Sequence, residues 1–136
     1  MNNNVFLDVN IVLDFLDKSR SASSLANELM YKLLNQESNI VISEDMITTI
    51  FYLSHNKNKT LKFLKSIQKK WKLSSFTSIV IEEAITISLE QNLDLEDVLQ
   101  CLCAKNNNCD VLITNDKKFY DCGIKIMNTK EFLDEK

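Results

Sequence analysis

Three aspartates of this 136-residue chain lie at the ends of predicted strands or helices. Asp8 interrupts the apolar run VFLDV, and Asp116 follows the apolar run CDVLIT by two positions. Asp97 lies in the first turn of the helical pattern LEDVLQCLCAKN. A buried carboxylate without a partner costs several kcal/mol or takes up a proton, whereas hard cations such as Mg²⁺ bind carboxylate oxygens. The three acids therefore predict a divalent-cation site, provided that the fold brings them together.

Carboxylates around a divalent cation are suited to hydrolysis at phosphorus, because the cation activates water and neutralises charge on the phosphate. Such a site needs no histidine or lysine as general base. A chain with one glycine cannot supply a Gly-rich phosphate loop, and its only histidine, His55, has no acid and nucleophile near it in sequence. Asn10 stands where a DxD phosphatase motif would have its second aspartate.

Each aspartate also has a local explanation, and the sequence leaves these explanations open. Asp8 suits the cap of a helix that begins near Asn10. Asp94 and Asp97 suit an N-cap followed by an acidic third residue, and Asp116 suits an Asx-turn. The shared site is favoured by the set, because all three acids lie at the ends of predicted strands or helices.

Other polar residues near these acids have weaker signals. Asn10 projects to the same side as Asp8 if the first strand continues, and there it would orient a ligand carboxylate. Glu44 and Asp45 indicate mainly helix N-terminal charge, with a role around the metal as the alternative. Asp14, one helical turn beyond Asn10, is either solvated or a helper to the site.

The order of elements predicts how the acids are positioned. Short β-rich runs alternate with longer helical patterns, which predicts crossover connections and a parallel, three-layer α/β sheet. Ligands of such sheets bind beyond the carboxyl ends of the strands. If the first and fourth strands are neighbours, Asp8 and Asp116 meet at the same edge. The predicted strands are 5–9, 39–43, 72–76, 109–114 and 124–127. The predicted helices are 11–18, 21–36, 44–55, 60–70, 79–91, 95–106 and 130–136, with Ser43, Thr77 or Ser78, Asp94 and Thr129 as helix caps.

Length and composition predict one globular domain, residues 1–136, with 45% hydrophobic and 26% charged residues. The formal net charge of -3 gives no general affinity for nucleic acid, but the lysines are concentrated in HNKNKTLKFLKSIQKKWK. Within this segment Lys62, Lys65 and Lys69 share one helical face. That face would contact an RNA backbone or is simply solvated.

The predicted compartment is the cytoplasm, because the sequence has neither a signal-peptide pattern nor an apolar stretch of the ~18–20 residues that a membrane span needs. Cysteines in that compartment are expected to be reduced thiols. The four cysteines are Cys101, Cys103, Cys109 and Cys122. Their spacing, and the distance in sequence to His55, do not favour a zinc site.

Three segments resemble the signature segments of PIN-domain ribonucleases, in the branch of the VapC-like toxins of type II toxin–antitoxin systems. They are LDVNIVLD (7–14), LEDVLQ (95–100) with Ala104, and DVLITNDKKF (110–119). The final IKIMNTKEFL resembles the closing strand and helix of that family. Order and approximate spacing agree over essentially the whole chain.

The resemblance implies a five-stranded parallel sheet of order 3-2-1-4-5 and cleavage of RNA that depends on Mg²⁺ or Mn²⁺. By motif, Asp8, Asp97 and Asp116 match the family's metal-binding acids, and Asn10 matches the polar residue paired with the first acid. A VapC-like protein is also expected to form a homodimer and to be neutralised by a small antitoxin protein.

One departure from the family leaves a second function open. Many PIN domains carry an acid about one turn into the helix after the second strand, where this chain has Thr48 and Thr49, and Glu44 comes a turn too early. Three acids favour one bound cation over two. They also leave open a catalytically degenerate PIN-like module that binds RNA or protein. A phosphohydrolase of small substrates is a third alternative.

Overall fold

The computed structural model describes residues 3–135, which form one five-stranded, wholly parallel sheet of order β3-β2-β1-β4-β5. This order is the one that the family resemblance implies, so the predicted fold class is confirmed. The strands are β1 (Asn4–Leu7), β2 (Asn39–Ser43), β3 (Lys72–Ser74), β4 (Val111–Ile113) and β5 (Lys125–Met127). The helices are α1 (Val9–Leu16), α2 (Ser23–Asn35), α3 (Asp45–Leu53), α4 (Lys57–Lys70), α5 (Ser78–Gln91), α6 (Leu95–Asn106) and α7 (Thr129–Asp134).

The connections divide the helices between the two faces of the sheet. Helices α1 to α4 connect β1 to β2 and β2 to β3, moving in one direction across the sheet, whereas α5 and α6 return from β3 to β4. Right-handed crossovers that move in opposite directions place their helices on opposite faces. Packing agrees with this division, because α2 contacts both α1 and α7, and α5 contacts α6.

The central strand fixes the register of the sheet. Val5, Phe6 and Leu7 of β1 are completely buried, as expected for a parallel strand that is covered on both faces. Phe6 lies opposite Val41 of β2 and Leu112 of β4. The carboxyl ends of β1 and β4 are therefore adjacent, which is the neighbour relation that the prediction for Asp8 and Asp116 needed.

Several predicted boundaries differ from the structure. The first strand ends at Leu7 instead of continuing to residue 9, because α1 begins at Val9. Helix α4 begins at Lys57, three residues earlier than predicted, since Asn56 caps it by accepting a hydrogen bond from Lys59 N at 3.0 Å. Lys136, predicted to end the last helix, lies outside the described residues.

Two predicted helix caps are confirmed and two are wrong. Thr77 accepts a hydrogen bond from Val80 N, and Asp94 accepts one from Asp97 N. At α3 the cap position belongs to Glu44 instead of Ser43. At α7 the cap is Asn128 instead of Thr129. Asn128 forms a capping box with Glu131, because Glu131 N donates to Asn128 Oδ1 and Asn128 N donates to Glu131 Oε1. Among the helices of residues 3–135, none has the length and apolar character needed to cross a bilayer.

The prediction of four reduced cysteines is wrong for Cys101 and Cys122, which form a disulfide. It joins the middle of α6 to the segment that leads into β5. Packing of α6 onto the sheet brings these two residues together, with a Cα–Cα distance of 6.0 Å across a sequence separation of 21. Cys103 and Cys109 are free and buried, and burial raises the pKa of the Cys109 thiol to about 12.

We expect reduction of this disulfide to lower the free energy of unfolding by about 3 kcal/mol, because a cross-link of this loop length restricts the unfolded chain. The measurement is urea unfolding with and without dithiothreitol. The Cys122→Ser variant should lose the response to the reductant, and Cys109→Ala should keep it. A wild-type protein indifferent to the reductant would contradict the assignment.

Candidate metal centre

Asp8 is held at the junction between β1 and α1. Its backbone N donates to the carbonyl of Ile113 at 3.0 Å, which extends the β1–β4 ladder by one residue. Asp8 stands at the N-cap position of α1, yet its side chain makes no capping hydrogen bond. Its Oδ2 instead accepts a hydrogen bond from Thr114 Oγ1 at 2.8 Å. The carboxylate is thus directed across the sheet towards β4.

Thr114 connects the first acid to the third. Besides donating to Asp8, its Oγ1 accepts a hydrogen bond from Asp116 N at 3.1 Å. Asp116 Oδ1 in turn accepts from Lys118 N at 2.9 Å, so the Asx-turn predicted as the local explanation does form. The Asx-turn is compatible with a role for Asp116 in the site, because it sets the direction in which the segment after β4 leaves the sheet.

Burial is the main cause of the electrostatic state of Asp8. The residue is 6% exposed, and this burial raises the pKa of its carboxyl. The hydrogen bond from Thr114 opposes that rise, and the negative charge of Asp116 adds to it. Asp8 and Asp116 therefore lie close enough to repel each other, as the sequence predicts.

Asp97 joins them from the other side of the sheet. The capping bond from Asp97 N to Asp94 Oδ1, at 3.1 Å, fixes the first turn of α6, so the local capping explanation is also correct for Asp94. Burial raises the pKa of Asp97 to about 6, with further contributions from the charges of Asp94, Asp116, Asp8 and Glu96. The three predicted acids thus share one electrostatic environment.

Asn10 and Glu44 have less support than the three aspartates. Asn10 lies in α1 and is exposed, so the premise that the strand continues past Asp8 is wrong, and the group that orients Asp8 is Thr114. Glu44 is exposed and does not contribute to the pKa of Asp97. Asp14 is buried and pairs with Arg20, Oδ1 to Nε at 3.0 Å, which gives it a structural role.

The donor set of this site fits a hard divalent cation by chemistry. Asp8, Asp97 and Asp116 offer carboxylate oxygens, and their mutual repulsion favours a positive charge between them. As placed, no three acidic, histidine or cysteine side chains of residues 3–135 are close enough together to form a complete set of metal ligands.

The lysine face of α4 is exposed, and the structure does not show what it binds. Lys62, Lys65 and Lys69 point away from Thr60, Leu64 and Ile67, which are the buried residues of the helix. Lys72, at the end of the lysine-rich segment, pairs with Val41 in the sheet register. The role of the lysine face in RNA binding stays a prediction.

Comparison with known proteins identifies the family to which this fold belongs. A sequence model of the PIN domain matches residues 4–118. The chain belongs to the PIN domain family. The resemblance of its three signature segments is thereby confirmed, and the acids that those segments carry lie at one edge of the PIN sheet.

A curated relative confirms the VapC-like branch. The chain is 31% identical over 134 residues to Ribonuclease VapC1 of Aquifex aeolicus, covering 96% of this chain and 93% of that protein. Proteins of this branch are generally dependent on divalent metal.

Solved structures agree in fold. VapBC2 of Rickettsia felis, bound to a promoter DNA fragment, gives a TM-score of 0.67 at 20% identity, covering 92% of this chain and 98% of that one. A toxin–antitoxin complex from Klebsiella pneumoniae gives a TM-score of 0.71 at 15% identity, covering 92% of this chain and 97% of that one. Mycobacterium tuberculosis VapC20, a toxin that cleaves the sarcin–ricin loop, gives a TM-score of 0.70 at 11% identity, covering 88% of this chain and 95% of that one.

Thr114 is the site residue that the sequence interpretation did not single out. It is 2% exposed and ends the apolar run VLIT two residues before Asp116. A polar residue that closes a buried strand needs a hydrogen-bond partner, and this requirement is the signal that could have identified it.

We expect Thr114→Val to lower the free energy of unfolding by about 1–3 kcal/mol, because it leaves the buried Asp8 carboxylate and the Asp116 amide without their shared partner. Thr114→Ser keeps the hydroxyl, so its free energy of unfolding should fall much less. Urea unfolding of both variants measures the difference. Equal stabilities would show that the hydroxyl does not hold the site together.

We expect Asp97→Asn to stabilise the metal-free protein above pH 6. The folded-state pKa of about 6 exceeds the ordinary value of 3.8, so the folded protein binds more protons between these values and wild-type stability falls as pH rises. Asparagine does not titrate. Because Asp97 is partly exposed, we expect a gain of about 1 kcal/mol at pH 7.5 that disappears below about pH 4.

The measurement is urea unfolding in EDTA at both pH values. A variant that is less stable than the wild type at pH 7.5 would contradict the repulsion that the site geometry implies.

Proposed function

We propose that this protein is a metal-dependent endoribonuclease that hydrolyses RNA phosphodiester bonds, and that it is the toxin of a type II toxin–antitoxin system. One observation carries this proposal. Thr114 joins Asp8 to Asp116 at the edge where Asp97 also lies, in a chain that is 31% identical to a protein named Ribonuclease VapC1. Because cellular RNA is the proposed substrate, the proposed site of action is the cytoplasm.

Asp8, Asp97 and Asp116 would hold the cation, Mg²⁺ or Mn²⁺. When bound, it supplies Lewis acidity towards water and the phosphate oxygens. The chain's own contribution is orientation. The Thr114 hydroxyl fixes the Asp8 carboxylate, the Asx-turn fixes Asp116, and the Asp94 cap fixes the turn of α6 that carries Asp97. The positive charges of the exposed Lys62, Lys65 and Lys69 would attract the phosphates of the RNA backbone.

The proposed partners follow from the relatives. The Rickettsia felis and Klebsiella pneumoniae structures are toxin–antitoxin complexes with this fold. A small antitoxin protein is therefore proposed for this chain too, and a homodimer is proposed from its resemblance to the VapC-like branch. Exposed apolar side chains on α2, α3 and α5, among them Leu34, Tyr52 and Leu89, offer surface for such contacts.

The second candidate function is a degenerate PIN domain that binds RNA or protein without cleaving it. The specific observation in its favour is on α3, where the hydroxyls of Thr48 and Thr49 donate to the carbonyl of Asp45 within their own helix. These threonines supply no carboxylate to the site. A module of this kind would bind its partner without a divalent cation.

We expect the wild-type protein to cleave RNA in Mg²⁺ or Mn²⁺ and to stop in EDTA. Asp97→Asn should lower the cleavage rate on the order of 100-fold or more, because it removes a charged ligand worth several kcal/mol of transition-state stabilisation. Glu28→Gln, an exposed change on α2, is the matched control and should cleave at the wild-type rate.

The assay uses single-stranded and structured RNA, with mononucleotide esters as a further substrate. Equal cleavage by wild type and Asp97→Asn would remove the proposed active site. RNA binding without cleavage would support the degenerate module, and turnover of the mononucleotide esters alone would indicate a phosphohydrolase.

A further inference from the structure

A cavity of about 310 Å³ lies next to Asp116, where β4 and β5 end. It is lined by residues 114–117, which follow β4, by the end of β5 and by the first turn of α7. Thr114, which donates to Asp8, is one of the lining residues. Ligand pockets in proteins have volumes of roughly 300–1000 Å³, so this cavity has room for one small group beside the proposed cation site.

Hydrogen bonds between its two sides hold the backbone around the cavity. Thr114 N donates to the carbonyl of Met127 at 3.0 Å, which extends the β4–β5 ladder beyond Ile113. Asn115 Oδ1 accepts a hydrogen bond from Thr129 N, also at 3.0 Å, and Thr129 is buried. The two strand ends and the start of α7 therefore form one frame, and the cavity is preformed.

Two asparagines that line the cavity, one after each strand, have free hydrogen-bond donors. Their orientation is fixed, because only the amide oxygen can accept from a backbone N–H. Oδ1 of Asn115 accepts from Thr129 N, and Oδ1 of Asn128 accepts from Glu131 N at 2.7 Å. The Nδ2 group of each exposed asparagine is therefore the end available to a ligand, and neither group donates to another residue within 3–135.

Glu131 supplies an acceptor to the same cavity from α7. Its Oε1 accepts from Asn128 N at 2.9 Å in the capping box, and its Oε2 has no hydrogen-bond partner among the described residues 3–135. A carboxylate oxygen accepts hydrogen bonds and does not donate them. Ile126 and Met127 add an apolar wall. The cavity thus combines two amide donors, one carboxylate acceptor and an apolar surface.

This combination fits a nucleobase. A base is planar, packs through its faces and carries donors and acceptors at its edges. Adenine, cytosine and guanine have an amino group that a carboxylate accepts from, next to ring acceptors suited to amide donors. Uracil has no amino group, and the two carbonyl oxygens that flank its single N–H would repel the Glu131 carboxylate. Lys117, which lines the cavity beside Asp116, is suited to the phosphate attached to the base.

We propose that this cavity is a base-binding subsite for the RNA substrate. It holds the base next to the bond that is cut, and it favours adenine, cytosine or guanine over uracil. This inference rests on the proposed function, because the neighbouring cation site is the one that cuts the RNA. Asn115, Asn128 and Glu131 are the specificity-determining residues, and none of them is a proposed metal ligand.

The test is cleavage of a pool of RNA oligonucleotides that contain a randomised single-stranded segment, followed by sequencing of the products. A good pair of hydrogen bonds to a base edge discriminates against the wrong base about 5-fold or more. We therefore expect the wild-type protein in Mg²⁺ to use uracil about 5-fold less than the other bases at one position beside the cut. Glu28→Gln, on α2, should show the same preference.

Glu131→Gln tests the carboxylate and keeps the helix cap, because glutamine also completes a capping box. Its amide oxygen is the atom that accepts from Asn128 N, so the free end becomes an NH₂ donor. We expect discrimination against uracil to be lost or reversed at the same position, with an unchanged urea unfolding midpoint. A purely structural role would shift the midpoint and leave the base preference as it is.

Asn128→Ser removes one donor without adding charge, since serine also caps helices well. We expect it to weaken the preference at the same position. Nuclear magnetic resonance gives a readout that needs no cleavage. In EDTA, millimolar GMP should shift the side-chain NH₂ signals of Asn115 and Asn128, and UMP should shift them less. The Asn128 signal is assigned by its absence from the spectrum of Asn128→Ser.

The outcomes separate this inference from the proposed function. RNA cleavage without discrimination against uracil beside the cut, or discrimination that Glu131→Gln leaves unchanged, would overturn the subsite while the proposed function stands. A wild-type protein that cleaves no RNA would overturn the proposed function, and the titration with GMP and UMP then decides on the cavity alone. Equal shifts by the two nucleotides, or no shifts, would overturn the subsite as well.

Discussion

The hydrogen bond from Thr114 Oγ1 to Asp8 Oδ2 joins β1 to β4 at the edge where the acids meet. The two residues are 106 positions apart in sequence, and the parallel pairing of their strands brings them together. The same hydroxyl accepts the amide of Asp116, so one oxygen sets the positions of two carboxylates. An error of one residue in the β1–β4 register would break the contact between Thr114 and Asp8.

The site is built against electrostatic repulsion. Asp8 is buried, and Asp97 has a pKa of about 6 because it is desolvated among other acids. Stability must come from elsewhere, and it is supplied by the continuous core, to which β1, α1 and β4 contribute buried apolar residues. Repulsion among the acids lowers the stability of the metal-free protein and favours the binding of a cation. A loss of stability at a binding site is expected where the site serves function.

Sequence reasoning located the three aspartates because their signal is local and their meeting place follows from topology. A carboxylate at the end of an apolar strand is visible in the letters, and parallel strands bring their carboxyl ends together. The partners of these acids were not predictable in the same way. The roles of Thr114 and of the Cys101–Cys122 disulfide depend on side-chain contacts between elements. The sequence interpretation named Asn10, a polar residue near Asp8 in sequence, and did not consider Thr114. Asn128 displaced Thr129 as a helix cap because Glu131 completes a capping box.

We propose that Asp8, Asp97 and Asp116 enclose one divalent cation. Anomalous diffraction from crystals of the protein soaked in Mn²⁺ tests it most directly, because the ion is located without reference to activity. We expect a single strong anomalous peak among the three carboxylates, at the carboxyl ends of β1 and β4. Crystals with no peak there at millimolar Mn²⁺, or with the ion bound elsewhere on the chain, would contradict it.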